Sequence, residues 1–179
     1  MQAGVRTGFV LLATVVSLAL PPSRTAQAGG EAPESRSRPG GILAIVVNRS
    51  NPIDDLSSVD LRKIFLGVRS HWPNGRRIAV AMLDYGQPER EAVLRQIYRM
   101  DEDGYRDHFI KGIFRGEVFV SPKTLASPVV MRKFVFNAPG AIGYLRSSEV
   151  DASVKVLRID GHLPDDKDYS LQIDEHPGR

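Results

Sequence analysis

Two uniformly apolar, β-rich runs set the strongest constraint on this chain: residues 42–47 (ILAIVV) and residues 78–83 (IAVAML). A strand with one face in water alternates apolar and polar positions, and neither run alternates. Both strands must be covered on two faces, which calls for a sheet with helices packed above and below it. The sequence between and after them supplies those helices. Ser57 with Asp60 three residues later forms a variant capping box, and Leu61, Ile64 and Phe65 share one face of the helix it opens. Gly67 closes that helix at a position suited to positive φ. Trp72-Pro73-Asn74-Gly75 is turn chemistry leading into the second strand.

Beyond the second strand the alternation continues. Pro88 stands where a first helical residue belongs, and Val93, Leu94, Ile97 and Tyr98 supply an apolar face. Residues 101–112 read as another helix, with Tyr105, Phe109 and Ile110 directed inward. Ser127-Pro128 caps a further helix through Phe136, and residues 141–145 and 154–159 read as strands. The expected architecture is α/β: a small, mostly parallel sheet with helices on both faces.

The first 28 residues are expected to be removed. Arg6 precedes an apolar core over residues 8–20, and Ala26-Gln27-Ala28 is a small-x-small cleavage pattern. That core is shorter than the roughly 20 residues a membrane span needs. Export with cleavage after Ala28 follows, and a periplasmic destination is the expectation for the cleaved chain. Residues 29–41 (GGEAPESRSRPGG) lack an apolar period and read as a disordered spacer, residues 42–160 as the folded domain, and residues 161–179 as a loosely held polar tail. Roughly 150 residues remain after cleavage, enough for one domain.

Of 24 basic and 21 acidic residues, Arg6 and Arg24 lie in the leader, so the remainder is nearly balanced. Its charges are interspersed, without the basic stripe that nucleic-acid binding wants. There is no cysteine for a disulfide, a thiolate site or a thiol nucleophile. His71, His108, His162 and His176 show no metal-ligand spacing, and Asp101-Glu102-Asp103 reads as a solvated helix start rather than a calcium loop. No serine sits in a nucleophile elbow, and no phosphate-binding glycine loop is present. No cofactor, metal or enzymatic chemistry is expected.

Residues 57–75 (SSVDLRKIFLGVRSHWPNG) with the strand after them, and residues 139–145 (PGAIGYL), together resemble one lobe of a type II periplasmic binding protein. The likeness is to the phosphate-binding branch, which carries a comparable "LxxIFLG…W…G" helix and turn before a strand, and it spans roughly residues 41–160. It implies non-covalent binding of phosphate or another small oxyanion, with a membrane transporter of the ABC class as partner. Phe65 and Trp72 read as core, and Gly140 and Gly143 as backbone geometry at a turn and a tightly packed strand.

Ligands of open α/β sheets sit beyond strand carboxyl ends, against helix N-termini. Residues 48–51 and 84–90 meet that description and nominate Ser50, Asn51, Asp84, Gly86, Gln87 and Arg90 as ligand-binding residues. Phosphate-binding relatives carry Ser-Gly-Thr in the second loop. Here it reads Asp84-Tyr85-Gly86-Gln87-Pro88-Glu89-Arg90, where Pro88 removes a donor and Glu89 repels an anion. Arg90 either compensates by a bidentate contact or belongs, with Glu89, to a solvated helix start. High-affinity relatives close two lobes on the ligand, whereas this length suits one, so a second copy or another protein would supply the other wall. The alternative reading is a ligand-free module that docks an envelope or membrane protein.

Overall fold

The computed structural model describes residues 39–118 and 121–174, all within one compact unit, Ser35–Arg179. The expected leader and residues 29–38 of the expected spacer lie outside the described residues. The central strand β1 is Pro39–Asn48. It is followed by a short strand β2 (Asp55–Leu56), helix α1 (Ser58–Phe65), strand β3 (Ala79–Leu83) and helix α2 (Pro88–Val93). A π turn, Leu94–Tyr98, continues α2. Then come α3 (Glu102–Arg115), β4 (Lys123–Leu125), α4 (Pro128–Asn137) and β5 (Ala141–Arg146). The short strands β6 (Val154–Val156), β7 (Arg158–Ile159) and β8 (Gln172–Asp174) complete the order.

The main sheet runs β4-β3-β5-β1-β6, with β8 also paired to β1. Helices cover both faces, as the two apolar runs require. Successive residues of β5 point to opposite sides. A Cβ at Gly143 would lie 2.4 Å from the Met131 sulfur of α4. Its neighbour Tyr144 instead meets Phe65 of α1, at 6.5 Å between ring centroids. One sheet face is thus roofed by α4, the other by α1, α2 and the π turn.

Strand direction departs from expectation. β4, β3 and β5 are mutually parallel, but β1 is antiparallel to β5, β6 and β8, so the sheet is mixed rather than mostly parallel. A run such as ILAIVV signals burial on both faces and carries no information about direction. Two boundaries move as well. Pro39, Gly40 and Gly41, expected in the spacer, begin β1, where Pro39 and Gly41 pair with Asp174 and Ile173. The segment after residue 160, expected to be loose, is anchored: the Tyr169 hydroxyl donates to the Leu43 carbonyl at 2.8 Å, and Tyr169, Leu171 and Ile173 are buried.

The local signals form as read. Ser57 accepts from the Asp60 N–H at 3.0 Å, and Gly67 has φ of 76°. Ser127 caps α4 through the Val130 N–H. Phe65 and Trp72 are core. The Trp72 indole donates to the Gly140 carbonyl at 3.0 Å, and a Cβ on Gly140 would sit 2.1 Å from the Arg77 carbonyl oxygen. The WPNG turn and the PGAIGYL segment therefore interlock, a physical reason for both to occur in one chain. Ile110 is corrected: it is 49% exposed, one position round the helix from the buried Phe109.

Candidate functional site

Strand direction decides which loops can share a site. Val47 pairs with Ile142 and Leu43 with Arg146, while Ala79 runs alongside Ala141. The end of β1 therefore lies at the edge where β3 and β5 begin. The end of β3 lies at the opposite edge, roughly 15 Å away for five residues at about 3.3 Å each. The two nominated loops, both following strands, sit at opposite edges and form no common site.

Ser50 and Asn51 are structural. The Ser50 N–H and hydroxyl both donate to the Asn48 side-chain oxygen, at 2.9 and 2.8 Å. The Asn48 amide in turn donates to the Val135 carbonyl at 2.9 Å and to that of Phe136, fastening the loop to the end of α4. Asn51 is 3% exposed, and its side-chain oxygen accepts from the Ile53 N–H at 3.0 Å. These contacts complete a turn; the Arg76 guanidinium also donates to the Ser50 hydroxyl at 3.4 Å, and the buried Asn51 Nδ2 has no partner among the described residues.

At the other edge, β3 delivers Asp84, whose N–H donates to the Leu125 carbonyl at 2.9 Å. Its exposed carboxylate accepts from the Tyr85 N–H. Gly86 has φ of 80°, and turns the chain into α2. Gln87 is the N-cap of α2 and makes no side-chain cap bond. This start is thus left without the side-chain acceptor that Ser or Asp would supply, the condition under which helix N–H groups can meet an external oxyanion.

Arg90 is committed elsewhere. It is buried, and its Nε and Nη2 grip both oxygens of Glu102 at 2.5 and 2.8 Å. Its Nη1 donates to the Leu83 carbonyl at 2.8 Å, and the guanidinium lies 5.0 Å from the Tyr105 ring centre. The hydrogen bond to Glu102 raises the Arg90 pKa further. Glu89 is likewise buried and paired with Arg146, whose guanidinium also donates to the Gly40 carbonyl. Neither residue is a solvated helix start, and Arg90 is a brace of the loop rather than a ligand contact. Glu102 is correspondingly not part of a merely solvated acidic run, although Asp101 does cap α3 through the Gly104 N–H.

Sequence reasoning missed Glu102 and Arg146 as partners. The first comes back to α2 because the π turn ends at Arg99, which adopts φ of 59° and reverses the chain. No spacing rule reports that reversal. Behind the brace, Tyr98, Tyr105 and Phe109 pack edge-on or tilted at centroid distances of 4.9 to 6.2 Å. Burial pushes the Tyr105 hydroxyl up to about 12 and raises those of Tyr98 and Tyr144 as well. A cleft of about 800 Å³ opens between the 84–87 loop, α3 and the segment before β4; Tyr85, Arg90, Tyr105, Ser121 and Thr124 contribute to its lining. Among the described residues no cluster of His, Asp or Glu is arranged to hold a metal, and no helix is long and apolar enough to cross a membrane.

A mixed sheet with helices on both faces, and an uncapped helix start at the strand ends near a cleft, defines an α/β domain. Comparison with known proteins specifies it. The chain is 31% identical over 129 residues, 72% of its length and 39% of the relative's, to the phosphate-binding protein PstS of Bacillus subtilis. Its fold matches that of a Clostridium perfringens protein solved with bound phosphate, described as a phosphate ABC transporter substrate-binding protein. There the TM-score is 0.62 and the identity 22%, over 75% of this chain and 53% of that one. An ABC-type phosphate transport receptor from Vibrio cholerae matches with TM-score 0.57 and 23% identity, over 69% and 48%. No family model matches the chain. The chain is thus similar to part of the phosphate ABC transporter substrate-binding proteins, spanning 39% of the curated relative and about half of each of these solved ones.

Proposed function

We propose that this protein is an exported solute-binding domain of the phosphate type, holding phosphate or another small oxyanion by hydrogen bonds and without covalent chemistry. The observation that carries the reading is the 31% match to a phosphate-binding protein. The ligand face is residues 84–87 and the first turn of α2, from which Tyr85 and Arg90 line the 800 Å³ cleft. Asp84 acts against an anion there, and the buried charges of Glu89 and Arg90 are each neutralised by a partner. Attraction therefore comes from N–H groups at an uncapped helix start and the helix dipole, which are modest contributors in the open. Binding is accordingly weak unless a second wall excludes water.

Export with removal of residues 1–28 and a periplasmic location complete the reading, together with docking to a membrane transporter of the ABC class. The relatives' names speak of binding and transport, and none favours a bare docking module. Titration calorimetry of the purified protein with phosphate at low salt tests the proposal. Saturable heat in the micromolar to millimolar range is the expected result. Absence of heat up to millimolar phosphate, from a sample shown to be folded, would overturn it.

A further inference from the structure

We propose that the outward side of α4 is a contact surface for a membrane of anionic lipid. Met131 and Val135 of α4 pack onto the sheet and are fully buried. On the other side of the helix Val129, Val130 and Phe136 are 51%, 41% and 54% exposed. Val129, Lys133 and Phe136 follow one another at four and three residues, and Val130 lies three before Lys133, so the exposed side chains form one stripe. The 10 residues of α4 contain no carboxylate. Lys133 makes no ion pair among the described residues, and neither does Lys123 of β4, which lies 5.0 Å from the centre of the Phe134 ring. Arg132 is the exception, paired with Asp151 at 3.2 Å. At the end of the helix the Asn48 amide donates to the Phe136 carbonyl at 2.6 Å, which brings Arg49 to the same place. The Arg49 guanidinium donates to the Ala152 carbonyl, not to a carboxylate.

An apolar stripe flanked by cations that have no carboxylate partner complements anionic headgroups over an apolar interior. Three half-exposed side chains fall far short of the roughly 800 Å² per partner that a stable protein interface buries, whereas a lipid surface moulds to a small stripe. No described helix is long and apolar enough to cross a membrane, so the contact is peripheral. Strand β4 separates this surface from the cleft. Its successive side chains point to opposite sides: Thr124 lines the cleft, and Lys123 stands over Phe134 of α4. A molecule held by α4 therefore leaves the cleft uncovered, and the lipid contact does not depend on the phosphate reading.

Co-sedimentation with vesicles tests the surface, using the chain from residue 29 so that the apolar residues 8–20 do not themselves bind lipid. This form retains the whole compact unit Ser35–Arg179. Binding to vesicles of phosphatidylglycerol mixed with phosphatidylcholine is expected, falling as salt is added, with little binding to phosphatidylcholine alone. Lys133→Glu should weaken it about thirty-fold, two charge steps of roughly five-fold each. Phe136→Ala should weaken it about ten-fold by removing apolar area from the stripe. Both side chains are exposed, so the variants fold as wild type, which circular dichroism checks. Arg115→Glu makes the same change of net charge on α3 and should leave binding within about two-fold. No binding to the anionic vesicles, equal binding to both vesicle types, or equal losses in Arg115→Glu and Lys133→Glu would each overturn the proposal. Poly-glutamate bound as tightly as the anionic vesicles would also overturn it, by assigning the cations to an acidic protein.

Discussion

The two edges of the sheet are held by different physics. At the edge where β3 and β5 begin, a backbone carbonyl is the anchor: the Trp72 indole and the Ala79 N–H both donate to Gly140, at 3.0 Å each. At the edge where those strands end, charged side chains do the fastening, Arg90 with Glu102 and Glu89 with Arg146. The family-like sequence is concentrated at the first edge, and the cleft lies at the second. Resemblance in a chain of this kind thus reports the scaffold more directly than the cleft, beside which ion pairs do the fastening.

This contrast can be broken by substitution. Trp72→Ala removes a buried indole and its hydrogen bond and should cost about 3–5 kcal/mol, read from the midpoint of chemical denaturation. Gly140→Ala, which forces a methyl against the Arg77 carbonyl, should act in the same direction. If both leave the midpoint in place, the first edge is not the backbone lock described. At the second edge, Glu102→Gln strands the Arg90 charge; since Glu102 is partly exposed the loss should be smaller, about 2 kcal/mol. The double replacement Arg90→Met with Glu102→Met should recover much of that loss. A double variant no more stable than Glu102→Gln would show that the pair acts by more than mutual neutralisation.

Alkali probes the aromatic layer behind the brace. The tyrosine reference value is 10.0, and burial holds Tyr105 at about 12 in the fold. A raised folded value contributes stability fully present below pH 10.0 and lost as pH climbs through about 12. Tyrosinate absorbance and circular dichroism, recorded together, should show unfolding in that window. Complete ionisation near pH 10 with the fold intact would contradict a buried cluster. The smallest effect is expected from Gln87→Asp. A carboxylate at the uncapped start of α2 should raise stability by about 0.5–1 kcal/mol while weakening phosphate binding, because it occupies the same N–H groups. Tighter phosphate binding in that variant would relocate the site.

Much of the fold was legible because its signals are local. Ser57, Asp101 and Ser127 cap the helices they precede, Gly67 closes α1, and the two apolar runs are buried strands. What was not legible is long-range. The direction of β1 depends on which strands arrive beside it, and β8 carries Ile173 in the otherwise polar triplet QID. Of the six nominated residues, Asp84, Gly86 and Gln87 lie in the turn between β3 and α2, and Arg90 is the one that lines the cleft. Ser50 and Asn51 fell to the other edge once β1 proved antiparallel, and Arg90 was claimed by a carboxylate twelve residues on.

The place of β1 at the middle of the sheet also bears on when the molecule can fold. It is the first described element in the chain, yet its neighbours β5, β6 and β8 come from residues 141–174. The Tyr169 contact to Leu43 closes a loop of 126 residues. Contacts so distant in sequence form late and slowly. A growing chain cannot complete the pairing of its central strand until residues 141–174 have been synthesised, so the middle of the sheet is the last part of it to close.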